Sequence, residues 1–154
     1  MSHHLEVFQQ NRNNMLNLVE GASLSTLNEI PAGFNNNLVW NLGHILLSQQ
    51  FLIYFFSDQP ISVNAEEMMK KYGSGSVPDG KTSQEEVDAL ITLLKESTPK
   101  MVGDVEKGIF TTYKGYHSDY YGISVNNIEE ALYFNNMHEA FHLGVMAAQK
   151  AGLS

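Results

Sequence analysis

Cysteine is absent from this chain of 154 residues. The absence excludes disulfide bonds, a thiolate nucleophile and any zinc or iron–sulfur site built on cysteine. Basic residues are scarce as well: nine Lys and Arg stand against 17 Asp and Glu, which gives a formal net charge of −8. Because a nucleic-acid-binding surface needs a cluster of Lys and Arg to neutralise phosphates, the sequence predicts no nucleic-acid partner. Anionic membrane surfaces are excluded for the same reason.

The chain also lacks a long uninterrupted apolar run. The longest apolar stretch, residues 38–56, contains Asn41 and His44 in its first half, which disqualifies it as a membrane span. The first ten residues, MSHHLEVFQQ, do not show the charged start and apolar run of a signal peptide. We therefore expect a cytoplasmic protein. With 43% hydrophobic residues, the length predicts a single domain over residues 1–154.

Four long segments have apolar residues at helical spacing. They cover residues 5–21, 38–56, 82–96 and 124–152. Shorter helices are predicted at residues 25–29 and 65–72, a loop at 73–80, and a connection with a short strand within 109–124. Pro99 is expected to kink or end the third long helix. Four long helices predict an all-α four-helix bundle with long connections, in which a site is built from side chains that face the shared core.

The letters HEAFH, residues 138–142, match the H-E-x-x-H pattern of zinc peptidases. In those enzymes a Glu or His further along the chain completes the metal site, and the Glu of the motif is the general base. After His142 the chain reads LGVMAAQKAGLS, which contains no Asp, Glu, His or Cys. A peptidase of this type is therefore not predicted, and a third ligand has to come from an earlier part of the chain.

Three histidines lie on helix faces that should point into the core. His138 and His142 are about 40° apart on one face of the last helix. His44 lies in the middle of the most hydrophobic helix. Three neutral imidazoles with one open position form a catalytic-type site for zinc or a similar divalent ion, and we predict such an ion on these three residues. The alternative is a buried polar network without metal.

Other residues near this motif have roles that the sequence leaves open. Glu139, about 60° from His142 around the helix, is a candidate acceptor behind a ligand, a candidate base for metal-bound water or thiol, or a solvated surface carboxylate. His117 is a fourth ligand, a pocket residue or an exposed side chain, and we expect exposure. A cluster of tyrosines is either one wall of a substrate pocket or aromatic packing within a loop: Tyr113, Tyr116, Tyr120 and Tyr121.

Two segments together resemble the DinB/YfiT superfamily. They are NNLVWNLGHILLSQQ, in which Trp40 precedes His44 by four residues, and HEAFHLGVMAAQKAG in the last helix. The resemblance covers about residues 5–152. It implies a four-helix bundle of up-down-down-up topology, often a homodimer, with zinc, nickel or a related ion bound by His44, His138 and His142.

The resemblance also implies a function, because relatives include bacillithiol- and mycothiol-dependent transferases and maleylpyruvate isomerase. We therefore expect a divalent-metal-dependent transferase that joins a low-molecular-weight thiol cosubstrate and a small-molecule substrate. A divalent ion lowers the pKa of a bound thiol, and a chain without cysteine must take that thiol from outside. Arg12 or Lys114 is the candidate contact for an anionic cosubstrate. A metal-dependent hydrolase and a non-catalytic, metal-stabilised binding or stress-response module are the alternatives.

Overall fold

The structure is a computed structural model that describes residues 3–153, and it is mostly helical. The helices are α1 His3–Val19, α2 Leu24–Asn28, α3 Leu38–Gln49, α4 Ala65–Tyr72, α5 Gln84–Glu106 and α6 Ile128–Gly152. A π-helical segment, Gln50–Tyr54, continues α3 and is followed by a 3-10 turn, Phe55–Ser57. The prediction of a mainly helical protein is confirmed. Among the described helices, none combines the length and apolar character needed to cross a bilayer.

Side-chain caps fix where most helices begin. Each of five helices is preceded by an Asn or Ser whose side chain accepts a hydrogen bond from a backbone N–H of the first turn. Asn37 caps α3 by accepting from Trp40 N–H at 2.8 Å. The last helix begins later than predicted, at Ile128 with Asn127 as its cap, because Ser124 belongs to a strand.

That strand belongs to a small hairpin between α5 and α6. β1 Tyr116–Ser118 pairs antiparallel with β2 Ile123–Val125, and Tyr116 lies opposite Val125. The predicted short strand in this connection is therefore present.

Pro99 lies inside α5 and does not end it. Proline lacks a backbone N–H, so it removes one hydrogen bond of the helix. The helix continues to Glu106 because the turn after the proline buries Met101 and Val102 in the core.

Each of the four long helices packs on two of the others. α6 packs on α1 and on α3, and α5 packs on α1 and on α3. The rings of His4 and Tyr133 meet near the start of α1, and the ammonium of Lys150 bonds to the carbonyl of Leu18 near its end. α1 and α6 therefore run in the same direction.

The core consists of two apolar clusters with buried polar residues between them. One cluster contains Met15, Leu94 and Met146, and the other contains Phe8 and Met101. On each long helix a buried polar residue lies between the positions that belong to the two clusters. These residues are Arg12, Gln49, Ser97 and Glu139. The polar layer costs stability unless its groups are hydrogen-bonded, so its partners matter for the site.

Candidate metal centre

His44, His138 and His142 come together between α3 and α6. Each offers one ligand atom, and these atoms all lie within 4.8 Å of one another. The Nε2 atoms of His44 and His138 are 3.3 Å apart. Two nitrogen ligands of a tetrahedral zinc ion, each about 2.0–2.1 Å from the metal, lie about 3.4 Å apart. The buried cluster is compatible with a metal site.

The ring of His44 is oriented by the backbone of α4. Its Nδ1 atom lies 2.7 Å from the carbonyl oxygen of Tyr72, the last residue of that helix. A carbonyl oxygen only accepts, so Nδ1 carries the hydrogen and donates it. In the neutral ring the lone pair is then on Nε2, the nitrogen that faces His138.

The ring of His142 is oriented in the same way by Asn41, one helical turn before His44 on α3. Nδ1 of His142 lies 2.8 Å from Oδ1 of Asn41. The amide nitrogen of Asn41 donates to the carbonyl of Asn37, so its oxygen is the atom that faces the ring. Donation of the second ring N–H to such a partner is typical of histidines that bind metals, because it fixes the tautomer.

His138 has no such partner within residues 3–153, since its buried Nδ1 makes no hydrogen bond there. Two unprotonated Nε2 atoms at 3.3 Å, those of His138 and His44, repel each other unless a cation or a proton lies between them. A shared metal ion removes this repulsion. A metal-free network removes it only if His138 carries its hydrogen on Nε2, which leaves a buried lone pair on Nδ1 unpaired.

The environment keeps the three imidazoles neutral. Burial lowers the pKa of His138 to about 4, and the nearby imidazole of His44 adds to the shift because two adjacent rings cannot both be protonated. Burial and the two neighbouring histidines lower the pKa of His142 to about 2. Burial also lowers the pKa of His44, although its hydrogen bond to Tyr72 opposes the shift. Neutral imidazole is the form that binds metal, so near pH 7 no proton has to leave before an ion enters.

A cavity of about 440 Å³ opens beside the cluster, and all three histidines line it. The indole of Trp40 stacks on His44 with 4.6 Å between ring centroids. Phe134 and the tyrosines of the hairpin form another part of the wall. None of the described residues that line the cavity is Asp, Glu, Lys or Arg.

The predicted tyrosine wall is correct for three of its four members. Tyr116, Tyr120 and Tyr121 line the cavity. Tyr113 is not among the lining residues and packs against Phe56 at 6.0 Å instead.

Glu139 is buried, with none of its surface exposed, so the alternative of a solvated surface carboxylate is wrong. Nε and Nη2 of Arg12 donate to its two carboxylate oxygens at 2.8 and 2.7 Å. The amide of Asn135 donates to the same carboxylate at 3.0 Å. Since Glu139 is not among the residues that line the cavity, the geometry offers no support for its role as a catalytic base.

Arg12 does not lie where a contact for an anionic cosubstrate would have to be, because it is only 1% exposed and does not line the cavity. The sequence carries a signal for its burial, since it lies on the same helical stripe as Leu5, Phe8 and Met15. A charge on an apolar stripe requires a buried counter-charge. Lys114 forms an ion pair with Asp58 and also lies outside the cavity. Neither residue supplies the expected cationic contact.

His117 is exposed, as expected, and lies outside the histidine cluster. Its Nδ1 atom is 2.9 Å from the hydroxyl of Ser124, across the hairpin.

Comparison with known proteins adds one finding. A family model described as the DinB superfamily matches residues 8–146, a span that contains all three histidines. No curated protein matches the chain.

Proposed function

The chain belongs to the DinB superfamily, and on this basis we propose that it is a divalent-metal-dependent enzyme. His44, His138 and His142 hold the ion, with zinc or nickel as the first candidates. The reaction is the transfer of a low-molecular-weight thiol to a small-molecule substrate. One observation carries the proposal: three neutral histidines from two helices converge in the wall of a cavity large enough for a small organic molecule.

The residues at this site have two roles: some hold the ion, and others exclude bulk water from the reacting groups. A divalent ion with an open position lowers the pKa of a thiol or of water, which gives a nucleophile at neutral pH. The Tyr72 carbonyl and Asn41 fix the tautomers of His44 and His142, so that the Nε2 atoms remain free to bind. The aromatic wall displaces bulk water from the reacting groups. A cytoplasmic location, where small thiols are kept reduced, suits this cosubstrate.

The test is a turnover assay with protein loaded with zinc or nickel. Bacillithiol, mycothiol and glutathione are each offered with monochlorobimane, and the fluorescent thioether is measured against the uncatalysed rate. Wild type and His117→Ala should turn over at least one thiol, whereas His138→Ala should not. Equal rates in wild type and His138→Ala, or no rate above background for any thiol, contradict the proposal.

A hydrolase that uses metal-activated water is the second candidate, and the charge of the cavity wall favours it. An anionic thiol cosubstrate finds no Lys or Arg among the described lining residues, whereas water needs none. Hydrolysis of uncharged aryl esters in thiol-free buffer separates the two reactions. Metal-dependent hydrolysis without any thiol-dependent turnover supports the hydrolase.

We also propose that residues 1–154 form one domain, built as an up-down-down-up four-helix bundle. The parallel packing of α1 and α6 supports this topology. Asn41 bonds to Gln149 and His44 to His138, which supports opposite directions for α3 and α6. The hydroxyl of Tyr54, at the end of the extension of α3, donates a hydrogen bond to Asp104, near the end of α5. This contact between the two C-terminal ends is expected if α3 and α5 run in the same direction.

A homodimer is part of the same proposal. Tyr133, Met137 and Phe141 follow one another at four-residue spacing on α6, and all three are exposed. An apolar stripe of this kind on a surface helix is typical of a contact surface. Sedimentation velocity should give a dimer for wild type and a monomer for Tyr133→Glu, with Tyr133→Phe as the control. A monomeric wild type contradicts the dimer and leaves the enzyme proposal unaffected.

A further inference from the structure

The cavity beside the three histidines has a strongly aromatic wall. Of the 18 described residues that line it, eight are Phe, Tyr or Trp, and none is Asp, Glu, Lys or Arg. From this wall we infer that the small-molecule substrate, as distinct from the thiol cosubstrate, is an uncharged aromatic molecule. This inference rests on the proposed function, since it names the substrate class for the same site.

The arrangement of the rings suits an aromatic guest. Tyr121 meets Phe134 edge to face, with centroids 5.5 Å apart and planes at 90°. Tyr121 also meets Phe141 at 6.3 Å and 89°. Perpendicular pairs leave ring faces and ring edges available, and both are favourable contacts for a further aromatic ring. A planar aromatic ligand can therefore make the same kind of edge-to-face contact with the rings of the wall.

The cavity also has apolar surface that its own packing leaves uncovered. Tyr120 is 77% exposed, and Met69 and Phe141 are about half exposed, although all three line the cavity. Exposed apolar groups that surround a concave surface are typical of a binding site. An aromatic guest would bury part of this surface.

A charged substrate finds no counter-charge among the described lining residues, and the two cations that the sequence offered as contacts are engaged elsewhere. Arg12 is paired with Glu139 and Lys114 with Asp58. Removing a carboxylate or an ammonium from water without a counter-charge is strongly unfavourable. The hydroxyls of Ser48 and Ser118 also line the cavity, the first 3.4 Å from Nε2 of His44 and the second accepting from the Tyr121 N–H at 3.4 Å. Each hydroxyl keeps a further hydrogen-bonding position, which suits a neutral polar group such as an alcohol.

The experiment compares three probes of similar size: benzyl alcohol, benzoate and benzylamine, which are neutral, anionic and cationic at pH 7. The whole chain is used both as purified and after chelation of metals. Trp40 is the only tryptophan and lines the cavity, so its fluorescence reports binding directly. Benzyl alcohol should bind at least about tenfold more tightly than either charged probe to the chelated protein.

Two lysine substitutions at exposed hydrophobic residues provide a matched pair. Tyr120→Lys places a cation in the cavity wall, whereas Ile30→Lys places one outside it, since Ile30 is exposed and does not line the cavity. Only Tyr120→Lys should strengthen the binding of benzoate. Ile30→Lys should bind all three probes as wild type does.

Benzoate or benzylamine bound as tightly as benzyl alcohol by chelated wild type would overturn the inference. The inference also fails if none of the probes changes the fluorescence of Trp40. The proposed function fails separately, when the protein takes up no metal. Selective binding of benzyl alcohol by protein that takes up no metal would leave the ligand class standing without the metal-dependent reaction.

Discussion

Arg12 and Glu139 neutralise each other in the interior, where neither reaches solvent. Breaking a buried ion pair by removing one partner costs about 3–5 kcal/mol, because the remaining charge is left uncompensated. We therefore expect Arg12→Met to lower the free energy of unfolding by that amount. The double variant Arg12→Met with Glu139→Leu should recover much of the loss. Urea denaturation of the single and double variants measures both values.

The ion pair with Arg12 indicates a structural role for Glu139 and not the role of a catalytic base. If its carboxylate holds α1 against α6, Glu139→Gln lowers stability and leaves the metal content of the folded protein unchanged. If Glu139 were the base, Glu139→Gln would abolish turnover while stability remained close to that of wild type. That second result would contradict the structural role of the carboxylate.

The buried histidines predict how stability depends on pH. Burial lowers the pKa of His138 to about 4 and of His142 to about 2, from 6.5. Below pH 6.5 the unfolded chain therefore binds protons that the folded chain does not, and the metal-free protein becomes less stable as the pH falls. Each histidine should remove between about 1 and 2 kcal/mol from the free energy of unfolding as the pH falls from 6.5 to 5.0.

Urea denaturation of chelated protein at several pH values measures this loss. The variant with His138→Gln and His142→Gln is the control, because it lacks both titrating groups. A wild-type profile as flat as that of the control would show that the two imidazoles are not buried as neutral groups.

At the scale of elements, α4 positions His44 through the Tyr72 carbonyl, and Gly43 permits the contact. A methyl group on Gly43 would overlap the ring of Tyr72. Gly43→Ala should therefore displace α4, destabilise the protein by about 1–3 kcal/mol and weaken metal binding by about 10- to 100-fold. Thermal denaturation and metal titration measure the two effects.

Gly144→Ala is the matched control, since a methyl there would contact nothing within 4 Å. Replacing glycine with alanine inside a helix should raise stability by up to about 1 kcal/mol. If Gly43→Ala behaves like Gly144→Ala, α4 does not position the ligand.

Local sequence patterns predict the helices well and their mutual arrangement poorly. Apolar periodicity and the cap at Asn37 indicate α3 because both are local signals. The convergence of His44 with His138 and His142 also follows from the pattern. The three residues lie on the inward faces of two helices, and both faces point into the same core. The pairing of Arg12 with Glu139 does not, because it depends on the direction and rotation of α1 against α6 across 127 positions. The charge-free cavity wall depends on the same packing.

For the whole molecule, a bound ion would connect α3 with α6 and raise stability. A ligand that binds only the folded state stabilises it by about 2.7 kcal/mol at a concentration of 100 times Kd. Calorimetry should therefore show a higher Tm with zinc or nickel than after chelation, and His138→Ala should lose the difference. An increase in Tm without any turnover supports the metal-stabilised module and contradicts the enzyme.

The most direct test of the metal centre is elemental analysis by inductively coupled plasma mass spectrometry on tag-free protein. Wild type and His117→Ala should contain close to one divalent ion per chain, whereas His44→Ala and His138→Ala should contain almost none. Wild-type protein that contains no metal and takes up neither zinc nor nickel would contradict the metal centre. The three histidines would then be a buried polar network in a helical protein.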